Sequence, residues 1–232
     1  MEKIVKVKLI SYSQPTEEVK EEGLGDVQDL IAFCARVSNP SNQFNSQTSE
    51  KLLNYLAKHA HWSPFEMVSA CLEIETTRDI ARQILRHRSF SFQEFSQRYA
   101  DPTKDLDFEP REARFQDPKN RQNSIDLDPT LDAHKRINED FRMKQMKLIR
   151  EAKDLYQWAV NFGIAKEQAR AVLPEGLTMS RMYMNGTIRS WIHFINLRSG
   201  NGTQKEHMEI AKEIAKVIAE IFPLANSYVN NN

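Results

Sequence analysis

The sequence predicts an α+β fold: a single domain in which a small, mostly antiparallel sheet is packed by several helices, one of them long and in the second half. Three observations carry this. Segments with apolar residues at helical spacing dominate the 232-residue chain. Only a few segments alternate in the period-2 pattern of a strand. No glycine-rich βαβ fingerprint is present, which argues against a doubly wound sheet.

The elements follow in order. Val5, Val7 and Leu9 alternate with Lys6 and Lys8 and predict a half-buried strand over 4–10. Residues 14–25 are charged and read as a loop. Asp26 caps a helix on Val27, Leu30, Ile31 and Cys34, which stops near Val37 because Asn39-Pro40 breaks it. A second helix runs from about Thr48 to Ala60 on Leu52, Leu53 and Leu56, and Trp62-Ser63-Pro64-Phe65 is a turn. Val68, Ala70, Leu72 and Ile74 alternate as a strand. Thr77 with Asp79 starts a helix carrying Ile80, Ile84 and Leu85.

Residues 101–130, rich in Asp, Pro, Arg and Asn, read as a variable surface excursion. A long helix over 131–162 carries Ile137, Phe141, Leu148, Ala152, Leu155 and Ala159 on one stripe, and Gly163 caps it. A short helix over 165–172 ends before Pro174. Residues 177–184 form a strand closing on Asn185-Gly186. Thr187 caps a helix through Leu197, a last helix covers 203–222, and Asn230–Asn232 is a frayed end.

Composition narrows the function. Lys+Arg and Asp+Glu both number 32, so the formal net charge is zero, against the basic excess of a general nucleic-acid binder. Two cysteines, Cys34 and Cys71, form neither a disulfide framework nor a zinc pattern. The N-terminus lacks the pattern of a signal peptide, and no run of about 18 apolar residues exists. The expected location is the cytoplasm, with no membrane partner.

One stretch concentrates polar chemistry: Arg86-His87-Arg88-Ser89-Phe90-Ser91-Phe92-Gln93-Glu94-Phe95-Ser96-Gln97-Arg98-Tyr99-Ala100. Guanidinium forks match phosphate oxygens bidentately, serines add neutral donors, and the aromatics anchor the segment. On the preceding helix Gln83, Arg86 and His87 share a face. Arg78, Arg82 and Arg86 alone would read as a solvated stripe. The density of donors after them favours an anion site.

Arg170, Arg189 and Arg198 form a second group. Arg189, His193 and Asn196 share a helical face that could equally be solvent-facing. Glu206 is explained by its place at a helix N-terminus. His59-Ala60-His61 has no third ligand, so no metal is expected. His134 and His207 read as surface residues, and both cysteines read as small core hydrophobes.

Arg86-His87-Arg88-x-x-Ser91-x-x-x-x-Ser96-x-Arg98 resembles the RHRxxSxxxxSxR signature of the flavin-dependent thymidylate synthases, with every fixed position present. His61-Trp62-Ser63-Pro64-Phe65-Glu66 resembles that family's H-x-[ST]-P-F-E segment, and Ala35-Arg36-Val37-Ser38 its early A-R-x-S. Ala169-Arg170-x-x-Leu173-Pro174, Arg189-Ser190 and Asn196-Leu197-Arg198 resemble the distal half, so the likeness spans nearly the whole chain.

The resemblance implies reductive methylation of deoxyuridylate (dUMP) to thymidylate (dTMP). Methylenetetrahydrofolate would be the carbon donor and NADPH the reductant, acting through FAD. It also implies a homotetramer with active sites at subunit interfaces. By position it puts Ser63, Arg86, His87, Arg88, Glu94, Thr187, Ile188, Arg189 and His193 at FAD. Gln83, Arg86, Glu94, Ser96, Gln97, Arg98 and Arg170 would hold deoxyuridylate. Arg198 would face the uracil as the catalytic residue, and His61 would lie on the folate and flavin side.

The chemistry agrees with these implied roles. A hydride from reduced flavin makes a cysteine nucleophile unnecessary. Arg198 suits the negative charge that develops on uracil, since its guanidinium stays protonated. Ser96 has no activating base nearby in sequence and reads as a hydrogen-bonding residue. Two departures stand out. Gly202-Thr203 replaces the histidine and alanine often found before the family's Gln-x-Glu, and His193 stands where some relatives have Asn. The alternatives are a non-catalytic nucleic-acid-binding domain, or a flavoprotein that oxidises NADPH without methyl transfer.

Overall fold

The computed structural model describes residues 6–200 and 202–228. Positions 4 and 5 of the expected first strand, and the expected frayed end at Asn230–Asn232, lie outside the described residues. The strands are β1 (Lys6–Tyr12), β2 (Ser69–Thr77), β3 (Ser91–Glu94), β4 (Arg114–Gln116), β5 (Ser124–Asp126) and β6 (Met179–Thr187). The helices are α1 (Glu17–Glu21), α2 (Val27–Ala35), α3 (Ser49–Lys58), α4 (Arg78–Ile84), α5 (Pro102–Asp105), α6 (Asp132–Asn161), α7 (Lys166–Ala169), α8 (Ile188–Ser199), α9 (Lys205–Ile221) and α10 (Ala225–Tyr228).

The main sheet has four strands in the order β1-β2-β6-β3, antiparallel throughout. This is the α+β architecture the sequence predicts. Leu72 and Ile74 of β2 and Met182 and Met184 of β6 point to one face and are fully buried. Onto that face pack Ile80 and Ile84 of α4, Trp191, Ile192 and Ile195 of α8, and Ile210, Ile214 and Ile218 of α9. Each such side chain contributes about 1.5–3 kcal/mol by leaving water. The Trp191 indole N–H, buried with them, donates to the Ala70 carbonyl at 3.1 Å.

β2 and β6 are paired over their full length, from Ser69↔Thr187 to Thr77↔Met179. Each runs directly into a helix through a threonine, Thr77 into α4 and Thr187 into α8. Because the strands are antiparallel, the two helices leave from opposite ends of the pair. Their C-terminal ends meet, where Arg198 reaches His87.

Four expectations need correction. β6 does not close at Asn185-Gly186 but continues to Thr187. Both residues are paired to β2, and Asn185 also to Ser91 of β3, so no turn is possible. Glycine is needed at 186 for another reason: a Cβ there would sit 2.3 Å from the Phe90 ring. Second, the loop read at 14–25 contains the short helix α1. Third, α6 buries Gln145, Ile149, Ala152, Tyr156 and Ala159. Of the expected stripe only the two alanines are covered, while Ile137, Phe141, Leu148 and Leu155 stay 42–49% exposed. The buried face follows the helical repeat but is chosen by what lies opposite, here α7 and the Arg111 backbone. Fourth, His207 is fully buried, not at the surface.

The segment 101–130 is only partly an excursion. It contains α5 and the β4–β5 hairpin, whose Phe115 and Ile125 are exposed. Arg111, however, donates to Thr77 Oγ1 at 2.5 Å and Asp79 Oδ1 at 2.7 Å, and lies 3.1 Å from Glu206 Oε2.

Candidate active site

The sequence-predicted site residues fall into three groups. The first lies where α4, α8 and α9 meet. After α4 the chain turns through Arg86, His87 and Arg88, and Arg198 arrives from the last turn of α8. Arg198 Nε donates to His87 Nε2 at 2.9 Å. Burial and the adjacent Arg198 charge push His87 down to about 4, so it is neutral at pH 7 and accepts that bond. Burial and then Arg86 act on Arg198 in the lowering direction. Arg198, with the Arg86 charge near it, therefore lies against an uncharged imidazole. Among the described residues Arg86, Arg88, Arg170 and Arg198 have no carboxylate within ion-pair distance.

Gln83 belongs to this group as well. Its Nε2 donates to Gln204 Oε1 at 2.8 Å, and its Oε1 lies 3.2 Å from His207 Nδ1. The sequence reading missed Gln204 and His207. The signal available was modest: Gln204 is the N-cap of an amphipathic helix and His207 lies in its first turn, two residues before and one residue after the conspicuous Glu206.

The second group surrounds the start of α8. Thr187 caps that helix, its Oγ1 accepting from the Ser190 N–H at 3.2 Å. Ser190 Oγ in turn donates to the Ser89 carbonyl at 3.2 Å, tying the arginine-rich turn to α8. Arg189 is ion-paired with Glu66, which ends the short 3-10 turn of Ser63–Glu66. The His193 ring meets Trp62 edge-on at 5.0 Å, beside a cavity of about 470 Å³ also lined by Asn54, Lys58, Asn196 and Tyr228. Burial and then Arg189 lower the His193 pKa. Ile188, grouped with these residues by sequence, has its side chain wholly in the core and gives its N–H to the Val68 carbonyl at 2.9 Å.

His61 is exposed just before this turn. It is placed by the end of α3, where its N–H returns to the Leu56 carbonyl at 2.8 Å. Ala60 takes the left-handed conformation there, at φ 56°. Helix ends usually give that position to glycine, and an alanine there costs on the order of 1–3 kcal/mol.

The third group follows β3, the strand that pairs the arginine-rich segment to β6. Glu94 accepts from Ser180 Oγ at 2.8 Å and faces Arg78 at 3.6 Å. Gln97 is buried, yet its Nε2 has no partner among the described residues. Ser96 Oγ accepts from the Arg98 N–H at 3.4 Å, and the Arg98 side chain reaches Glu167 at 3.1 Å. No hydrogen bond or ion pair among the described residues joins Arg98 or Arg170 to Arg198. Arg189 and Arg198 are nine residues apart on α8, about 13 Å along its axis.

An antiparallel sheet flanked by helices, with Arg198 and Arg86 left without a carboxylate among the described residues beside a neutral histidine, defines this single-domain α+β protein. The chain belongs to the thymidylate synthase complementing protein family, whose model matches residues 22–224. It is 48% identical over 216 residues to a probable flavin-dependent thymidylate synthase of Paramecium bursaria Chlorella virus 1, covering 93% of this chain and 94% of that one. It is 46% identical over 217 residues to the flavin-dependent thymidylate synthase of Synechocystis, covering 94% and 95% of the two chains. Among solved structures it is similar to a UMP/dUMP methylase, PolB from Streptomyces cacaoi, bound with 5-Br dUMP. That match has a TM-score of 0.74 at 25% identity and covers 97% of this chain and 93% of that one.

Proposed function

We infer that this chain is a flavin-dependent methyltransferase that converts deoxyuridylate to thymidylate, with methylenetetrahydrofolate as carbon donor and NADPH as reductant. One observation carries the reading: Arg198 is held by an uncharged histidine, beside Arg86, without a carboxylate partner among the described residues. A cation kept that way serves an anion that comes from outside the chain.

The donor set fits FAD. Arg86 and Arg88 supply free guanidiniums for a diphosphate, and Arg189, His193, Thr187 and Ser63 supply donors along the start of α8. His87 and Glu94 complete the flavin side, and Ile188 shapes it only from within the core. When bound, FAD supplies the hydride that reaches the pyrimidine, with electrons drawn from NADPH. Ser96, Arg98, Arg170 and the unpartnered Gln97 amide hold the nucleotide, with Gln83, Arg86 and Glu94 as further contacts. Arg198 faces the uracil and stabilises the negative charge that develops on it, without giving up its proton. The neutral His87 fixes the orientation of that guanidinium. His61 lies toward the folate.

The spread of these groups supports assembly of each active site from more than one copy of the chain, as a homotetramer. The exposed apolar strip of α6 offers surface for that association. No helix among the described residues is long and apolar enough to cross a membrane, and we place the enzyme in the cytoplasm.

The test is thymidylate formation from deoxyuridylate, methylenetetrahydrofolate and NADPH by flavin-stripped protein, with and without added FAD. Product that requires FAD is expected. A yellow protein that oxidises NADPH without product would reject the methyl transfer, and absence of flavin binding would reject the whole reading.

A further inference from the structure

His207 is the most deeply buried ionisable side chain near the site, and none of the roles above uses it. It sits in the first turn of α9 with no exposed surface. Its ring lies 5.8 Å from the Phe194 ring and 6.4 Å from the His87 ring. Nδ1 faces Gln83 Oε1 at 3.2 Å, whereas Nε2 is buried without a partner among the described residues.

The direction of every hydrogen bond leading to His207 follows from one end. Arg114 and Arg111 hold Glu206, whose carboxylate burial alone would make weaker as an acid. The Arg114 bond and the Arg111 charge outweigh burial and hold it at about 2. Ionised, it can only accept. The Gln204 atom 3.0 Å from Glu206 Oε2 must therefore be the amide nitrogen. That makes the other Gln204 atom a carbonyl oxygen, so the Gln83 atom 2.8 Å from it must be nitrogen. Gln83 then turns its carbonyl oxygen to His207, and Nδ1 must carry the proton. In the neutral ring this leaves Nε2 as a bare acceptor. Burial, then Arg198 and His87, disfavour a second proton and hold His207 at about 3.

We propose that His207 is a positioning residue: by donating from Nδ1 it occupies the Gln83 carbonyl, so that Gln83 presents only an N–H donor to the nucleotide. The site then reads an acceptor oxygen at that point and rejects a donor. The same chain of bonds ties the orientation of Gln83 to Arg111 and Arg114 in the 101–130 segment. Removing the Nδ1 donor leaves the Gln83 carbonyl unsatisfied and open to the nucleotide as an acceptor, with only the Gln204 bond left to hold the amide. The proposal rests on Gln83 contacting deoxyuridylate, as in the reading above.

The experiment compares His207→Leu with His207→Asn, whose side-chain N–H₂ can take the place of Nδ1–H, in the FAD-loaded protein. The expected result is a deoxyuridylate KM at least tenfold higher in His207→Leu, with kcat within threefold of wild type. His207→Asn should restore KM to within threefold. Equal KM values in the two variants, whether both raised or both unchanged, would overturn the proposal.

A second measurement needs no variant or turnover: ¹⁵N NMR of histidine-labelled wild-type protein at pH 7. A protonated Nδ1 and bare Nε2 at His207 are expected, and the opposite tautomer would overturn the inference. A wild type that makes no thymidylate but shows the expected tautomer and binds deoxyuridylate would reject the enzymatic reading and leave the positioning role standing.

Discussion

Around Glu206, the guanidiniums of Arg111 and Arg114 are each held by a carboxylate; around His87, those of Arg86 and Arg198 are not. The two places lie close together, joined through Gln204 and Gln83. The residue type is the same and the surroundings are opposite. Arg111 is largely buried and spends its donors on Thr77, Asp79, Glu206 and the Gly176 carbonyl. It closes α4, α9 and the 101–130 segment onto one another and has little left for a ligand. Arg198 gives one bond to a neutral ring and keeps the rest of its fork free. A largely buried carboxylate partner thus marks the arginines that hold the fold, whereas Arg98 and Arg189 pair only with exposed carboxylates that a ligand can displace, and Arg198 has none.

The largest effect expected from this contrast is on stability. Arg111→Met leaves the Asp79 and Glu206 carboxylates part-buried with fewer cations, and breaking such a pair from one side costs about 3–5 kcal/mol. Urea unfolding should show that loss. A drop in turnover at unchanged stability would instead move Arg111 into the group that binds ligand.

Arg198→Ala should do the reverse. Removing one donor aimed at developing charge costs on the order of 10²–10³ in rate, about 2.7–4 kcal/mol in the barrier. The variant should keep its FAD absorbance and its melting temperature. Turnover within tenfold of wild type would end the assignment of Arg198.

How far the sequence alone could see this depends on the range of the interactions. The antiparallel sheet, the strand-to-helix passages at Thr77 and Thr187, and the apolar face of α8 were legible because each is a local pattern. Arg86 and His87 stood out through a dense motif, and Arg198 through the short Asn196-Leu197-Arg198 resemblance. What separates Arg198 from Arg111 was not legible, because it turns on which carboxylate lies nearby in space. Glu206 is 92 residues from Arg114. His207 was misread for the same reason: a polar residue in the first turn of a helix is usually exposed, and only Gln83, 124 residues away, gives it a reason to be inside. Asn185-Gly186 has the composition of a turn, but the Phe90 ring, not a bend, requires that glycine. β3 escaped notice because its four residues alternate too briefly to register as a strand.

The two regions should also separate on a pH scale. His87 titrates near 4 in the folded chain against an ordinary 6.5, so between those values the unfolded chain binds the proton and the folded one does not. His87 therefore lowers stability as pH falls through that window. Glu206, held at about 2 against 4.5, gives stability that is full above 4.5 and is lost as pH falls toward 2. Melting temperature should decline in both windows. His87→Gln should flatten the upper decline, leaving the shares of His207 and His193, and spare the lower one. An unchanged slope between 6.5 and 4 would mean that His87 is not held neutral by burial and the Arg198 charge.

The smallest effect tests whether pairing is a sound criterion at all. Arg181 lies on β6, opposite Glu75 of β2, and reaches its carboxylate at 2.8 Å through Nε and 2.6 Å through Nη2. It lies far along the chain from the arginine-rich motif but in the strand that β3 pairs with, so sequence position gives no reason to exclude it from the site. Its partner does. Cross-strand pairs of this exposure contribute about 0.2–1 kcal/mol. Arg181→Gln should therefore shift the urea midpoint slightly and leave turnover within twofold. A tenfold fall in turnover with the midpoint unmoved would mean that an arginine bonded to a largely buried carboxylate still serves the reaction, as Arg98 and Arg189 are proposed to do from exposed pairs. The distinction between Arg111 and Arg198 would then need a basis other than their partners.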